Sequence, residues 1–172
     1  MMNVGKNEYF TQVFDAHYTL LMRVVYRITG REDVAEEIVQ EAFIKYYERV
    51  DILPRDEGVK YWLLRVVRNL ALNYEKRRGR ERKAVEKFFH ETRTVSTHEG
   101  ESSLLKQVAV EEVQAALLEV PYNLRIVLIL KEYAGFNYQE IAQMLGITEG
   151  NVKVRVHRAR TQLGQHLNKG EV

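Results

Sequence analysis

Apolar residues recur along most of this chain at intervals of three and four, the spacing that gathers them on one face of a helix. Phe10, Val13, Phe14, Leu21, Val24, Val25 and Ile28 predict a first helix ending near Gly30. Val34, Ile38, Ala42, Phe43 and Tyr46 predict a second. Pro54 and Gly58 punctuate the loop after it, because proline blocks a continuing helix. Val59, Trp62, Leu63, Val66, Val67, Leu70 and Tyr74 form the stripe of a third helix, with Arg65, Arg68, Asn69 and Asn73 off it. Core packing is the expectation for Trp62. After Tyr74 the pattern fails, and residues 76–102 are polar and charged. They read as a frayed helical end followed by a linker, in which a Phe88-Phe89 pair could still dock. The pattern resumes with Leu104, Leu105, Val108, Val113, Leu117 and Val120. Pro121 then opens a helix over 124–133, and two shorter helices follow. The expected fold is all-α: two small helical domains, 1–83 and 104–172, joined by a flexible linker, 84–103.

Composition narrows the function without naming it. Of 172 residues, 45% are hydrophobic and 29% charged, the balance of a folded globular chain. Cysteine is absent, which excludes disulfides, a thiol nucleophile and a cysteine zinc site, and suits a reducing cytoplasm. The longest apolar run, 126–130, is far shorter than the roughly 20 residues a membrane helix needs. Residues 1–10 lack the apolar core of a secretory signal. A cytoplasmic protein with no membrane contact of its own is expected. The histidines are scattered, and no glycine-rich phosphate loop, nucleophile elbow or zinc-protease motif occurs. No enzyme activity, metal or cofactor is therefore expected.

The formal net charge of +2 conceals segregation. Residues 65–83 hold eight basic and two acidic side chains, and residues 149–170 hold five basic and one acidic. Residues 86–119 carry seven acids against three bases, and residues 32–41 carry five acids and no base. Two separated basic patches suit two contacts with a polyanion such as DNA, although each could also be a solvated helix face.

The most specific local signal lies near the C-terminus. Asn137 can cap a helix over 138–145, with Glu140 three residues on completing a capping box. Ile141, Ala142 and Leu145 face inward. Gly146 supplies a positive φ for the turn, Ile147 plugs the angle, and Thr148 caps the next helix. Val152, Val156, Ala159, Leu163 and Leu167 form that helix's buried stripe. Together these are the parts of a helix-turn-helix over 138–160. Glu149, Asn151, Lys153, Val154, Arg155, His157 and Arg158 turn outward, where Asn and Arg can contact base edges and Lys and Arg can neutralise phosphates.

Residues 138–160, ending in Val-Lys-Val-Arg-Val-His-Arg-Ala-Arg, resemble the fourth region of bacterial RNA polymerase sigma factors of the extracytoplasmic-function (ECF) group within the sigma-70 family. Residues 35–43, Ala-Glu-Glu-Ile-Val-Gln-Glu-Ala-Phe, are similar to the family's clamp-binding segment. Residues 61–74 are similar to its promoter-melting helix. Glu37 stands where that clamp segment usually has Asp, which keeps the charge. Asn151 and Val154 hold positions that are more often small and hydroxylated.

The resemblance implies a non-catalytic specificity subunit that binds core RNA polymerase, directs it to promoters and helps melt them. Glu36, Glu37, Gln40 and Glu41 would dock on the clamp of the largest subunit, with a second contact to the flap of the second-largest subunit. Arg65, Arg68, Asn69, Asn73, Arg77 and Arg78 would meet the downstream, minus-ten element as a melted strand. Thr148, Asn151, Lys153, Arg155, His157 and Arg158 would read the upstream, minus-thirty-five element as duplex. The negative linker would disfavour DNA and suit passage through a nucleic-acid channel. An anti-sigma factor could sequester the protein. Two other classes stay open on the residues alone: a free-standing helix-turn-helix regulator, and a polymerase-docking adaptor with merely solvated basic faces.

Overall fold

The computed structural model describes residues 3–87 and 104–169. Within them the chain forms seven helices and no strand: α1 (Asn3–Thr29), α2 (Glu32–Arg49), α3 (Gly58–Glu86), α4 (Leu104–Glu119), α5 (Tyr122–Glu132), α6 (Tyr138–Leu145) and α7 (Glu149–Asn168). Phe88, Phe89 and most of the expected linker lie outside the described residues.

Helices α1, α2 and α3 each pack against the other two. Leu21, Val24, Val25 and Ile28 of α1 meet Ala35, Val39, Ala42 and Tyr46 of α2 and Leu63, Leu64, Val67 and Ala71 of α3 in a sealed core. An aromatic cluster closes its far end, with the Phe14 and Phe43 rings 4.7 Å apart. The chain leaves α1 through Gly30 at φ +69°, a backbone that other residues adopt poorly. A β-carbon there would also run into Leu118 of α4. Helix α3 continues to Glu86, past the end of its apolar stripe at Tyr74 and past the expected boundary at 83. Its exposed tail carries the ion pairs Arg77–Glu81 (3.9 Å) and Arg82–Glu86 (3.7 Å), four residues apart on one face. Each such pair supports a helix by a few tenths of a kcal/mol.

The second unit is built around α5. Residues 124–130 are all buried, so the middle of this helix has no solvent face, while Asn123 and Glu132 at its ends are exposed. It packs on α7 and α6 of its own unit and on α1 of the other. It begins at Tyr122, two residues before the expected start, with Pro121 at its cap. The turn chemistry of the next two helices follows the sequence. The Asn137 side chain accepts from the Glu140 amide, and the Glu140 carboxylate accepts from the Asn137 amide, both at 2.8 Å. Gly146 adopts φ +66°, and the Thr148 hydroxyl accepts from the Asn151 amide at 3.1 Å.

The two helical units meet along a joint. Besides α5, α4 also packs against α1, and one hydrophobic cluster runs through both units. Polar side chains stitch the seam. Arg125 of α5 donates to Glu75 of α3 at 2.8 Å, and Arg68 of α3 donates to the Met144 carbonyl of α6 at 2.8 Å. Buried Gln114 of α4 turns both ends of its amide to the last turn of α1, accepting from Arg27 at 2.9 Å and donating to the Tyr26 and Arg27 carbonyls at 3.4 Å. Phe136 stacks on Tyr61 with ring centres 6.0 Å apart. Such pairings join residues 50 or more positions apart, so no local pattern announces them.

The capping box gives a first test. Asn137→Ala removes the acceptor for the Glu140 amide and is expected to lower stability by about 1 kcal/mol, read as a shift of the urea midpoint with unchanged slope.

Candidate nucleic-acid interface

Three exposed surfaces bring together the charged residues singled out above. On α2, Val34, Ala35, Ile38, Val39, Ala42, Phe43 and Tyr46 face the core, so Glu36, Glu37, Gln40 and Glu41 are left on the outer face. Gln40 donates to Glu36 at 3.4 Å, and Lys45 lies 3.5 Å from Glu41. Asp33 is held by Arg31 at 2.6 Å, and this hydrogen bond lowers its carboxyl pKa. Ile44 continues the same face and is 60% exposed. This strongly exposed isoleucine beside the acids is a side chain that the charge count alone missed.

Between the end of α2 and the first half of α3 lies a cleft of about 280 Å³ lined by Lys45, Glu48, Arg49, Trp62, Arg65, Val66 and Asn69. Arg65 and Asn69 were expected here; Lys45 and Arg49 were not. Trp62 divides its role. One part packs near the Tyr46 ring, 6.1 Å away, while another part lines the cleft, so the expectation of plain core packing holds only for one side of the indole. The adjoining loop, 51–57, carries Ile52 at 81% exposure. Asn73, Arg77 and Arg78 lie further along α3, exposed. The cleft thus offers an aromatic edge, an amide and cations, the groups that stack and hold a single strand.

On α7, Val152, Val156 and Ala159 are buried and Asn151, Lys153, His157 and Arg158 are exposed. Arg155 is half-buried, and its Nε donates to Asn151 at 3.1 Å; a guanidinium also carries two terminal nitrogens, the groups that can meet a base edge or phosphate. Lys153 is 3.7 Å from Glu149. Thr148 serves as the helix cap, its hydroxyl occupied by the Asn151 amide. Val154 is 48% exposed among these polar groups.

Arg68 departs from its expected surface. It is half-buried in the joint, with Nη2 on the Met144 carbonyl and Nε buried without a partner. Tyr122 sits beside it with an unpaired hydroxyl. Burial raises the Tyr122 pKa to about 12, the charges of Arg68 and Arg125 opposing the shift and that of Glu75 adding to it. Among the described residues no helix is long and apolar enough to cross a membrane, and no group of three acidic or histidine side chains could hold a metal.

Comparison with known proteins bears on these surfaces. Sigma-70 region 2 matches residues 13–81, and sigma-70 region 4 matches residues 110–163. The ECF RNA polymerase sigma factor SigM of Mycobacterium tuberculosis is 30% identical over 96% of this chain and 82% of its own length. The chain belongs to the ECF sigma factors of the sigma-70 family. The SigE factor of Mycolicibacterium smegmatis is 31% identical over 89% of this chain but only 59% of its own longer sequence. A solved structure of the sigma factor RpoE with the anti-sigma factor NepR from Bartonella quintana superposes with a TM-score of 0.74 at 27% identity, covering 92% of this chain and 96% of that one. This sigma factor directs RNA polymerase to promoters, which sets aside the free-standing regulator and the adaptor.

The Tyr122 environment yields a pH test. The unfolded phenol ionises near pH 10, the buried one near 12, so stability is complete below pH 10 and falls between pH 10 and 12. Removing the unpaired hydroxyl as Tyr122→Phe is expected to leave stability at pH 7 equal or higher and to make the alkaline loss shallower. Denaturant titrations from pH 7 to 11.5 read both effects.

Proposed function

We propose how this sigma factor divides its work. The unit of α1 to α3 grips polymerase and the melted downstream element, and the unit of α4 to α7 reads the upstream element as duplex. The exposed face of α2, with Glu36, Glu37, Gln40, Glu41 and Ile44, docks on the clamp of the largest polymerase subunit. Its acids supply steering toward a basic partner and Ile44 supplies an apolar anchor. The flap of the second-largest subunit takes the second unit. In the cleft beside Trp62, an unstacked base enters against the indole, Asn69 and Asn73 approach bases, and Arg65, Arg77 and Arg78 hold phosphates. The recognition helix α7 enters the major groove with Asn151 and Arg155 foremost, Val154 beside them, and Lys153, His157 and Arg158 toward the backbone. The protein works in the cytoplasm without catalysing a reaction itself. The likeness to a sigma factor solved with its anti-sigma factor supports a protein inhibitor as a further partner.

The observation that carries this reading is the sorting of charge over exposed faces: acids on α2, cations around the cleft of α3 and along α7, each opposite a buried apolar stripe. The direct test is transcription by purified core polymerase on a panel of promoter fragments, with and without this chain. Promoter choice that is the same in both would overturn the reading.

Two substitutions separate the parts. Glu37→Lys with Glu41→Lys is expected to weaken core binding while shifting stability by no more than about 0.5 kcal/mol, since both side chains are exposed. Pull-down of core polymerase and a melting curve measure the two. Arg155→Ala is expected to cost about 1–3 kcal/mol and to relax preference at one upstream base pair, whereas a phosphate contact would weaken every sequence alike. Binding across a set of upstream variants distinguishes these outcomes.

A further inference from the structure

Helix α3 outlasts the core it serves. Its last buried residue is Ala71, yet the helix runs on to Glu86. Every residue from 76 to 87 except Gly79 is exposed, so packing does not account for the last turns.

Spacing sorts the side chains of this tail by face. Lys76, Arg80, Lys83 and Lys87 follow one another at intervals of four, three and four, which sets them in one line along the helix. Continued back toward the core, the same line passes through Asn73 and Asn69 to Arg65, the last two in the cleft. The acids of the tail fall off this line and are taken, Glu81 by Arg77 and Glu86 by Arg82. Among the described residues, no ion pair engages the four cations of the line. Like charges one turn apart repel and weaken a helix, so a line of four is favoured only when an anion lies along it.

The chemistry of the line changes along its length. In the cleft, the Trp62 indole and the Asn69 amide can stack on and hydrogen-bond a base. From 75 to 87 the chain has no aromatic residue and no side-chain amide. Charge alone is left, and charge alone suits a regular array of phosphates better than it suits unstacked bases. Lys76 to Lys87 covers about 16 Å of helix, the length of about five phosphates on one strand of a duplex. Chain order supplies the direction, since beyond α3 the chain leads to the unit of α4 to α7.

We propose that the tail of α3 is a sequence-independent rail for the duplex that joins the two promoter elements, with Lys76, Arg80, Lys83 and Lys87 on its phosphates at the upstream edge of the melted strand. This rests on the division of DNA between the two units given above. The rail adds affinity that neither element's sequence supplies, so promoters with a poor upstream element depend on it most.

The test uses holoenzyme assembled from core polymerase and the full chain, with two DNA probes. One is the single-stranded downstream element alone; the other is a fork that adds spacer duplex of scrambled sequence and stops short of the upstream element. Changing Lys76, Arg80, Lys83 and Lys87 together to Gln is expected to make the slope of log affinity against log salt on the fork shallower by about three to four units. Binding to the single strand and to core polymerase is expected to stay unchanged. Arg80→Gln alone is expected to remove about one unit, and Arg82→Gln, which loses the same charge off the line, none. An unchanged slope in the fourfold variant overturns the rail and leaves a solvated face. Equal losses on both probes overturn it in favour of the melted strand, and lost core binding overturns it in favour of a protein contact. Equal slopes for Arg80→Gln and Arg82→Gln overturn the line as the contact. Failure of the wild-type holoenzyme to bind the single strand would instead overturn the reading of the cleft, with the slopes on the fork still deciding the rail.

Discussion

Helix α5 must be covered on all sides, and the rest of the molecule arranges itself around that requirement. Its residues 124–130 are buried in succession, which no helix at the surface of a single small unit can achieve. Helices α6 and α7 cover part of it, and α1 covers another part. That last contact commits the first unit to the second. It also brings Arg125, a charged residue in the middle of an apolar helix, to a place where it needs an acid. Glu75 of α3 meets the need, and the solution fixes where α3 lies against α5 and α6.

The same constraint explains the distribution of charge. Of the cations and acids that do not serve the seam, acids are in excess on α2 and cations on α3 and α7. A mixed surface would be enough for solubility. Segregated surfaces create opposed fields on one small molecule, suited to a basic protein partner on α2 and to nucleic acid on α3 and α7. Exposed Ile44 and Val154 lie within these charged faces, not apart from them. Both carry apolar contact into a surface whose first attraction is electrostatic.

How legible each part was depends on the range of the interaction that makes it. The turn between α6 and α7 was readable because Asn137, Glu140, Gly146 and Thr148 act on backbone within three or four residues of themselves. The outward faces of α2 and α7 were readable because helical periodicity fixes which side chains share a side. The tail of α3 was read as fraying because it has no apolar stripe, whereas its ion pairs lie on a face that periodicity of apolar residues does not score. Trp62 was half-read: its place on the stripe predicted the buried side and said nothing of the cleft. Arg68 and Gln114 were missed as joint residues, since their partners lie 76 and 87 positions away.

A joint made of apolar contacts alone would have been simpler, and its absence is informative. Apolar surfaces of good fit close firmly and tolerate small shifts in position, since the hydrophobic effect has no preferred direction. Arg68, Gln114 and Arg125 make directional contacts, and Arg68 and Arg125 each leave Nε unpaired even there. Such a seam specifies how the units meet while contributing little to holding them together. The apolar side of the joint supplies the hold that the polar side lacks: residues 124–130 of α5 stay out of water partly because α1 covers them.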